Sequence, residues 1–353
     1  MELSKNILNF FIRDVTSLLC LFIITIFFLM AVFAYQIMPD KTPMANNIQL
    51  AIAKKKPGFT CDYILVQEKK NTNENKNTLN LDRDYNEIFI RDSKIINDTV
   101  YYVPMSKSGF NFEKISINDI YSSNDNEIIN TRKFILGTDR YGRDLLSRVI
   151  LGTRISFSVG FISVFMSLVI GISLGLIAGY YRGVTDLVIS WLINVVWSIP
   201  TLLLVIAISV VLGKGFWQVF VAVGLTMWVE VARVTRGEVL KIVQMPYIEA
   251  VKSLGLGDLR IMIMHILPNI LNPLIVISAA NFSTSILLES GLSFLGVGVQ
   301  PPTPSWGMII KNHYGFIIVE KAYLTLYPGI CIIFLVLSFM LLSNRLRDLF
   351  END

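Results

Sequence analysis

The sequence predicts an all-α polytopic membrane protein of about six membrane-spanning helices, with a small β-containing insert after the first. Three observations predict it. The 353 residues are 53% hydrophobic, with a mean hydropathy of +0.56. Only 16% are charged, against about 25% in a soluble globular chain. The apolar residues also fall in blocks of roughly 20, the length that crosses about 30 Å of hydrocarbon.

The first span is expected near 16–38, after Lys5 and Arg13. From Val15 to Met38 it is too long for the apolar core of a signal peptide, and no A-x-A site closes it, so it reads as a retained anchor. Further spans are expected near 157–180, 187–212 (with Pro200 inside), 216–237, 268–290 and 323–343. In the second, Gly171, Gly175 and Gly179 recur at four-residue spacing, a small-residue face suited to close helix contact.

Between the first two spans, residues 39–131 are Asn-rich and polar. Short β-like runs at Tyr63–Gln67, Ile88–Ile90 and Thr99–Val103 are separated by turn formers. Lys69–Lys76 has no apolar residue and is expected to be a flexible loop. The expected organisation is an N-terminal segment and first span (1–38), an extracytoplasmic insert (39–131) and a five-span core (132–353).

Basic residues set the expected orientation. Lys5, Arg13, Arg182, Arg233, Arg236, Lys241, Lys252, Arg260, Arg345 and Arg347 all fall on one side if six spans are present. That side is then the cytoplasm, with both termini in it. The cluster Arg132, Lys133, Arg140, Arg143, Arg148 and Arg154 falls outside, in a loop long enough for the charge rule to weaken.

Several functions are disfavoured. The net charge is only +4, and no Lys/Arg stripe interleaves with aromatics, so nucleic acid is not an expected partner. Cys20 and Cys331 lie in apolar blocks and Cys61 stands alone, which gives neither a disulfide framework nor metal-ligand spacing. No G-x-x-x-x-G-K-[ST] occurs; Gly213-Lys214-Gly215 lacks the flanking residues of a phosphate loop. No catalysis and no cofactor are expected of this chain alone.

The segment Gln244–Asn269 is the most informative. Pro246 suits a first helical turn and Gly255 the position just past a helix end. Between them Tyr247, Ala250, Val251 and Leu254 form one apolar stripe at helical spacing. Asp258 is placed to cap a second helix that runs toward Pro268. A short amphipathic helix joined to two spans suits a handle gripped by another protein, or a helix lying passively on the membrane surface.

Glu249-Ala250-Val251, Gly255 and Leu267-Pro268 resemble the EAA loop of ABC importer permeases. Val251 replaces the third residue of Glu-Ala-Ala, and His265 stands where the pattern has Ile. Gly137–Asp144 with Ser147-Arg148, and Ser293–Gly307, are similar to the C-type permease subunit of dipeptide, oligopeptide and nickel importers. The resemblance covers about residues 134–348 and leaves out the insert. It implies a type I importer fold in a bacterial inner membrane. It also implies a homologous permease partner, two ATPase subunits and an extracytoplasmic substrate-binding protein, with Glu249, Ala250 and Gly255 at the ATPase contact. Peptide is the leading substrate that the resemblance implies, with nickel or another small solute as the alternative.

Other candidates are less specific. Pro301, Pro302, Pro304 and Trp306 make a stiff extracytoplasmic loop, with Trp306 suited to the membrane interface, and serve either as a docking surface or as a cap on the bundle. Glu230 and Arg233, at i, i+3 in the fourth span, form either a structural pair or part of a pathway. Glu289 is expected near the outer boundary. The competing class, a secondary transporter or channel, predicts inverted repeats and a matched pair of broken helices. A membrane-anchored sensor leaves the later spans unexplained.

Overall fold

The computed structural model describes residues 14–67, 85–107, 109, 111–121, 128–213 and 215–351. The expected loop Lys69–Lys76, and Lys5, Arg13 and Lys214, lie outside these residues. The chain divides into two compact units: Met1–Ile37, Ile150–Tyr314 and Thr325–Asp353 form one, and Met38–Val149 with Gly315–Leu324 the other.

The first unit is helical. Helix α1 (Val15–Val32) is capped by Asp14, whose carboxylate accepts from the Ser17 amide at 3.2 Å. Then come α2 (Leu145–Tyr181), α3 (Gly183–Trp197), α4 (Thr201–Leu212), α5 (Phe216–Ile242), α6 (Pro246–Ser253), α7 (Leu271–Leu295), α8 (Trp306–His313) and α9 (Tyr323–Glu351). Among the described residues five helical stretches are long and apolar enough to cross a membrane by themselves, and α3 with α4, counted as one span, makes a sixth. The expected single span over 187–212 is broken: its halves meet at 90°. Pro200 supplies no N–H, and proline pushes the residue before it, here Ile199, out of the helical region. The fifth span starts earlier than expected. A helical turn at Asp258–Ile261, a π turn at Met262–Ile266 and a 3-10 turn at Leu267–Ile270 carry the chain past Pro268 into α7.

The expected glycine face of α2 lies on α5. A Cβ added at Gly171 would lie 2.5 Å from Val231 Cβ, at Gly175 2.5 Å from Thr235 Cβ, and at Gly179 2.7 Å from Val239 Cβ. Three glycines four apart thus meet three β-branched residues four apart, and the two backbones approach as no larger residue would allow.

The second unit contains a five-stranded antiparallel sheet of order β4-β3-β2-β1-β5. Its strands are β1 (Phe59–Gln67), β2 (Tyr85–Ile96), β3 (Thr99–Pro104), β4 (Glu113–Ser116) and β5 (Asn130–Phe134). The expected runs at Tyr63–Gln67, Ile88–Ile90 and Thr99–Val103 fall within β1, β2 and β3. The expected division at 131/132 cuts through β5, which pairs with β1. Side chains alternate: Cys61, Phe89 and Phe134 pack on one face with Ile52, and Ile64, Ile90 and Tyr102 on the other.

The same unit engages three members of the basic cluster that is expected outside against the charge rule. Arg132 pairs with Glu87 through bonds of 2.9 and 3.0 Å. Arg143 donates to the buried Asp139 at 2.7 Å and to Asn46 at 2.8 Å, and Arg148 reaches the Ala45 carbonyl at 3.3 Å. Gly142, at φ +75°, leaves room for the Gln49 carbonyl, which a Cβ would meet at 1.8 Å. These cations hold a fold together and are not free loop charge.

Two outcomes are expected. Gly175→Val places a side chain where Thr235 already sits and is expected to cost about 1–3 kcal/mol or more, read as a lower Tm in detergent. Gly237→Ala, on a helix face with nothing within 4 Å of the new Cβ, is expected to be neutral or stabilising by up to about 1 kcal/mol. In the sheet, burial pushes the Cys61 thiol up to about 11 from the ordinary 9.0. Below pH 9 the thiol is protonated in both folded and unfolded chain and stability is unaffected. As pH rises above 9 the unfolded thiol ionises first and the unit loses stability. Iodoacetamide labelling of the Cys61 peptide at pH 8, followed by mass spectrometry, is therefore expected to be about 100-fold slower in the folded protein than in urea.

Candidate functional site: the helix at the α5–α7 junction

Helix α5 ends at Ile242, and a tight turn (Met245 N–H to Ile242 C=O, 3.0 Å) leads straight into α6. Pro246 occupies the first helical turn of α6, and Gly255 follows its end at φ +80°, its N–H bonded to the Lys252 carbonyl at 3.0 Å. Both terminal residues therefore stand where the sequence set them.

The apolar stripe is placed differently from a buried face. Tyr247 (43% exposed), Ala250 and Leu254 (78% exposed) face outward with Glu249, and Val251 is half-buried. What fastens α6 to the bundle is Ile248, 2% exposed, packed with Leu176, Val239, Ile261 and Ile266. Sequence reasoning missed Ile248; its spacing to Val251 was the available signal. Leu259 (68%), Ile263 (50%) and Met264 (61%) continue the exposed apolar surface on the next helical segment. The result is an anchored helix with an uncovered apolar face.

Polar bonds stiffen its surroundings. Arg236 on α5 grips Asp186 on α3 through both carboxylate oxygens, one at 2.7 Å. Asp258 does not cap its helix as expected: Gly257 is the N-cap, and the carboxylate accepts from the Tyr180 hydroxyl of α2 at 2.7 Å. That bond ties the segment after α6 to the end of the glycine-faced helix.

The structural pairing of Glu230 with Arg233 is not formed. Arg233 stacks on Trp197, 3.0 Å from the ring centroid, and donates to Asn194 at 3.5 Å. Glu230 is exposed and lines a cavity of about 100 Å³ beside the α3–α4 break. Among the described residues that break is the one bent pair of spans, so the matched pair that a secondary transporter needs is missing there.

The proline loop is split. Pro301 and Pro302 are exposed, while Pro304 and Trp306 are buried. Trp306 does not sit at an interface: it is 0% exposed, begins α8, and packs edge-on to Phe27 and against Gly152. Glu289, expected near the boundary, is likewise fully buried. It accepts from the Ser293 hydroxyl at 2.7 Å, while that same hydroxyl oxygen accepts from the Val299 amide at 3.1 Å. Glu289 and Ser293 thus secure the loop to α7.

Residues 171–353 match the family described as the binding-protein-dependent transport system inner membrane component. The chain belongs to that family. It is a membrane permease subunit of the ABC transport systems. It is 38% identical over 213 residues to the glutathione transport system permease protein GsiD of Pectobacterium atrosepticum, covering 60% of this chain and 70% of that one. Identity to the di/tripeptide transport system permease protein DppC of Pseudomonas aeruginosa is 40% over 217 residues, covering 61% and 71%. For the dipeptide transport system permease protein DppC of Haemophilus influenzae it is 42% over 215 residues, covering 61% and 72%. The family match takes in α5, α6 and α7 and begins after the five strands of the β-sheet of this permease.

Substitutions at Ile248 and Leu254 separate anchor from exposed face. Ile248→Ala is expected to loosen α6, costing about 2–5 kcal/mol locally and raising amide hydrogen exchange over 246–255. Leu254→Ala is expected to change the stability of the isolated chain by less than about 0.5 kcal/mol.

Proposed function

We propose that this permease forms half of the translocation pathway of an ATP-driven importer for di- or oligopeptides, and that α6 is the point where a separate ATPase subunit takes hold. The observation that carries the reading is the pairing of a buried anchor, Ile248, near the start of one short helix with an uncovered leucine, Leu254, at its C-cap. Covering a leucine that is exposed contributes about 1.5–3 kcal/mol to an interface. An anchored helix passes the partner's motion to α5 and α7, and a loose one would absorb it. ATP binding and hydrolysis on the partner favour different states of the bundle by differential affinity.

A homologous permease subunit, a second ATPase subunit and an extracytoplasmic binding protein complete the proposed assembly. The peptide class rests on the relatives, which are named for dipeptides, di/tripeptides and glutathione, itself a tripeptide. Placement of both termini on one side, taken as the cytoplasm from the basic residues near them, is supported by the ion pair of Arg345, late in α9, with Asp14 at the start of α1 (3.4 Å). An even number of spans brings those two ends to one face.

Purification in mild detergent is expected to bring an ATPase subunit with the wild-type permease. Glu249→Lys and Gly255→Asp are expected to lose most of it, because one reverses charge on the exposed face and the other puts a side chain at positive φ where the helix ends. Full retention of the ATPase and of peptide uptake in both variants would contradict the proposal.

A further inference from the structure

Glu230 is a carboxylate within a membrane-spanning helix, and such groups ordinarily find a partner. Here none of the described residues bonds to it. The nearest cation in sequence, Arg233, is engaged by Trp197 and Asn194. The cavity that Glu230 lines holds about 100 Å³ and opens where α3 breaks into α4.

Two of the other polar groups that line the cavity have already spent their protons. Thr226 spends its hydroxyl proton on the Val223 carbonyl at 2.8 Å, and Thr284 spends its own on the Ala280 carbonyl at 3.1 Å. Each is left with oxygen lone pairs, and Glu230 adds a carboxylate. Three acceptors with no proton to give suit a ligand that is all donor and positively charged. The remaining walls, including Leu204 and Met227, are apolar apart from the Thr201 hydroxyl and the Trp197 indole, whose ring Arg233 covers. The space beside Glu230 suits one end of a peptide.

We infer that Glu230 binds the terminal ammonium group of the transported solute, with the hydroxyl oxygens of Thr226 and Thr284 beside it, as the solute passes the broken span. This rests on the peptide-import reading and adds the chemical group recognised within the membrane. A primary ammonium brings three N–H donors and a full charge, matching this acceptor set.

The test uses the complete importer, purified with its partner subunits, reconstituted in proteoliposomes and supplied with saturating binding protein and radiolabelled alanyl-alanine. Glu230→Gln is expected to retain every subunit at wild-type ratio and to import at least about tenfold more slowly, since an amide keeps the shape and loses the charge. Glu230→Asp is expected to recover most of the rate, which a purely steric role would not predict. Glu238→Gln, on the same helix in a surface pair with Lys241, is expected to import at the wild-type rate. Wild-type uptake by Glu230→Gln would overturn the assignment while leaving peptide import standing. Loss of subunits from Glu230→Gln would also overturn it, by making Glu230 an assembly contact. A wild-type complex that assembles with its ATPase but imports no peptide would overturn the substrate class, and the ligand assigned to Glu230 with it.

Discussion

The close approach of α2 and α5 is the constraint on which the helical unit depends. Gly171, Gly175 and Gly179 bring the backbone of α2 against Val231, Thr235 and Val239. In lipid no hydrophobic drive separates helix–helix from helix–lipid contact, so packing of this kind supplies the association. The seam holds the end of α5 from which α6 emerges. Leu176 and Val239 then form the floor on which Ile248 rests. The Tyr180–Asp258 bond and the Asp186–Arg236 clamp fix the same end from two sides. A helix of only eight residues would be marginal alone; it is ordered here because its foundation is rigid.

Charge is distributed by the same logic of satisfaction. In the β-containing unit, Asp139, Arg143 and Arg148 form a buried network that pins the chain around Ala45 and Asn46. Within the helical unit, Asp186 has Arg236 and Glu289 has Ser293. A buried group without a partner would be costly, whereas a complete network gives a unique arrangement. Against that background Glu230 stands apart, because its carboxylate faces a cavity.

Much of this was legible from local pattern. The ends of α6 followed from Pro246 and Gly255, whose backbone preferences act within one turn. The contact face of α2 followed from glycine spacing, although its partner on α5 did not. Three strands followed from alternation. What escaped depends on residues far apart in the chain. Asp186 and Arg236 are 50 positions apart, and Tyr180 and Asp258 are 78 apart. Asp258 was read as a cap because a local role was visible, and the distant tyrosine took the carboxylate. Trp306 was set at an interface by its amphipathic ring, whereas Gly152 makes a slot that buries it. Pro200 is visible within the expected span 187–212, but proline alone does not fix a bend of 90°.

We propose that α6 stands on the cytoplasmic side with its exposed face covered by the ATPase. Labelling of Leu254→Cys with a membrane-impermeant maleimide, in a background lacking the three native cysteines, tests this most directly. Inverted vesicles are expected to label only after the ATPase subunit has been stripped away, and right-side-out vesicles not at all. Labelling from the outside, or labelling in inverted vesicles that is indifferent to the ATPase, would contradict the account.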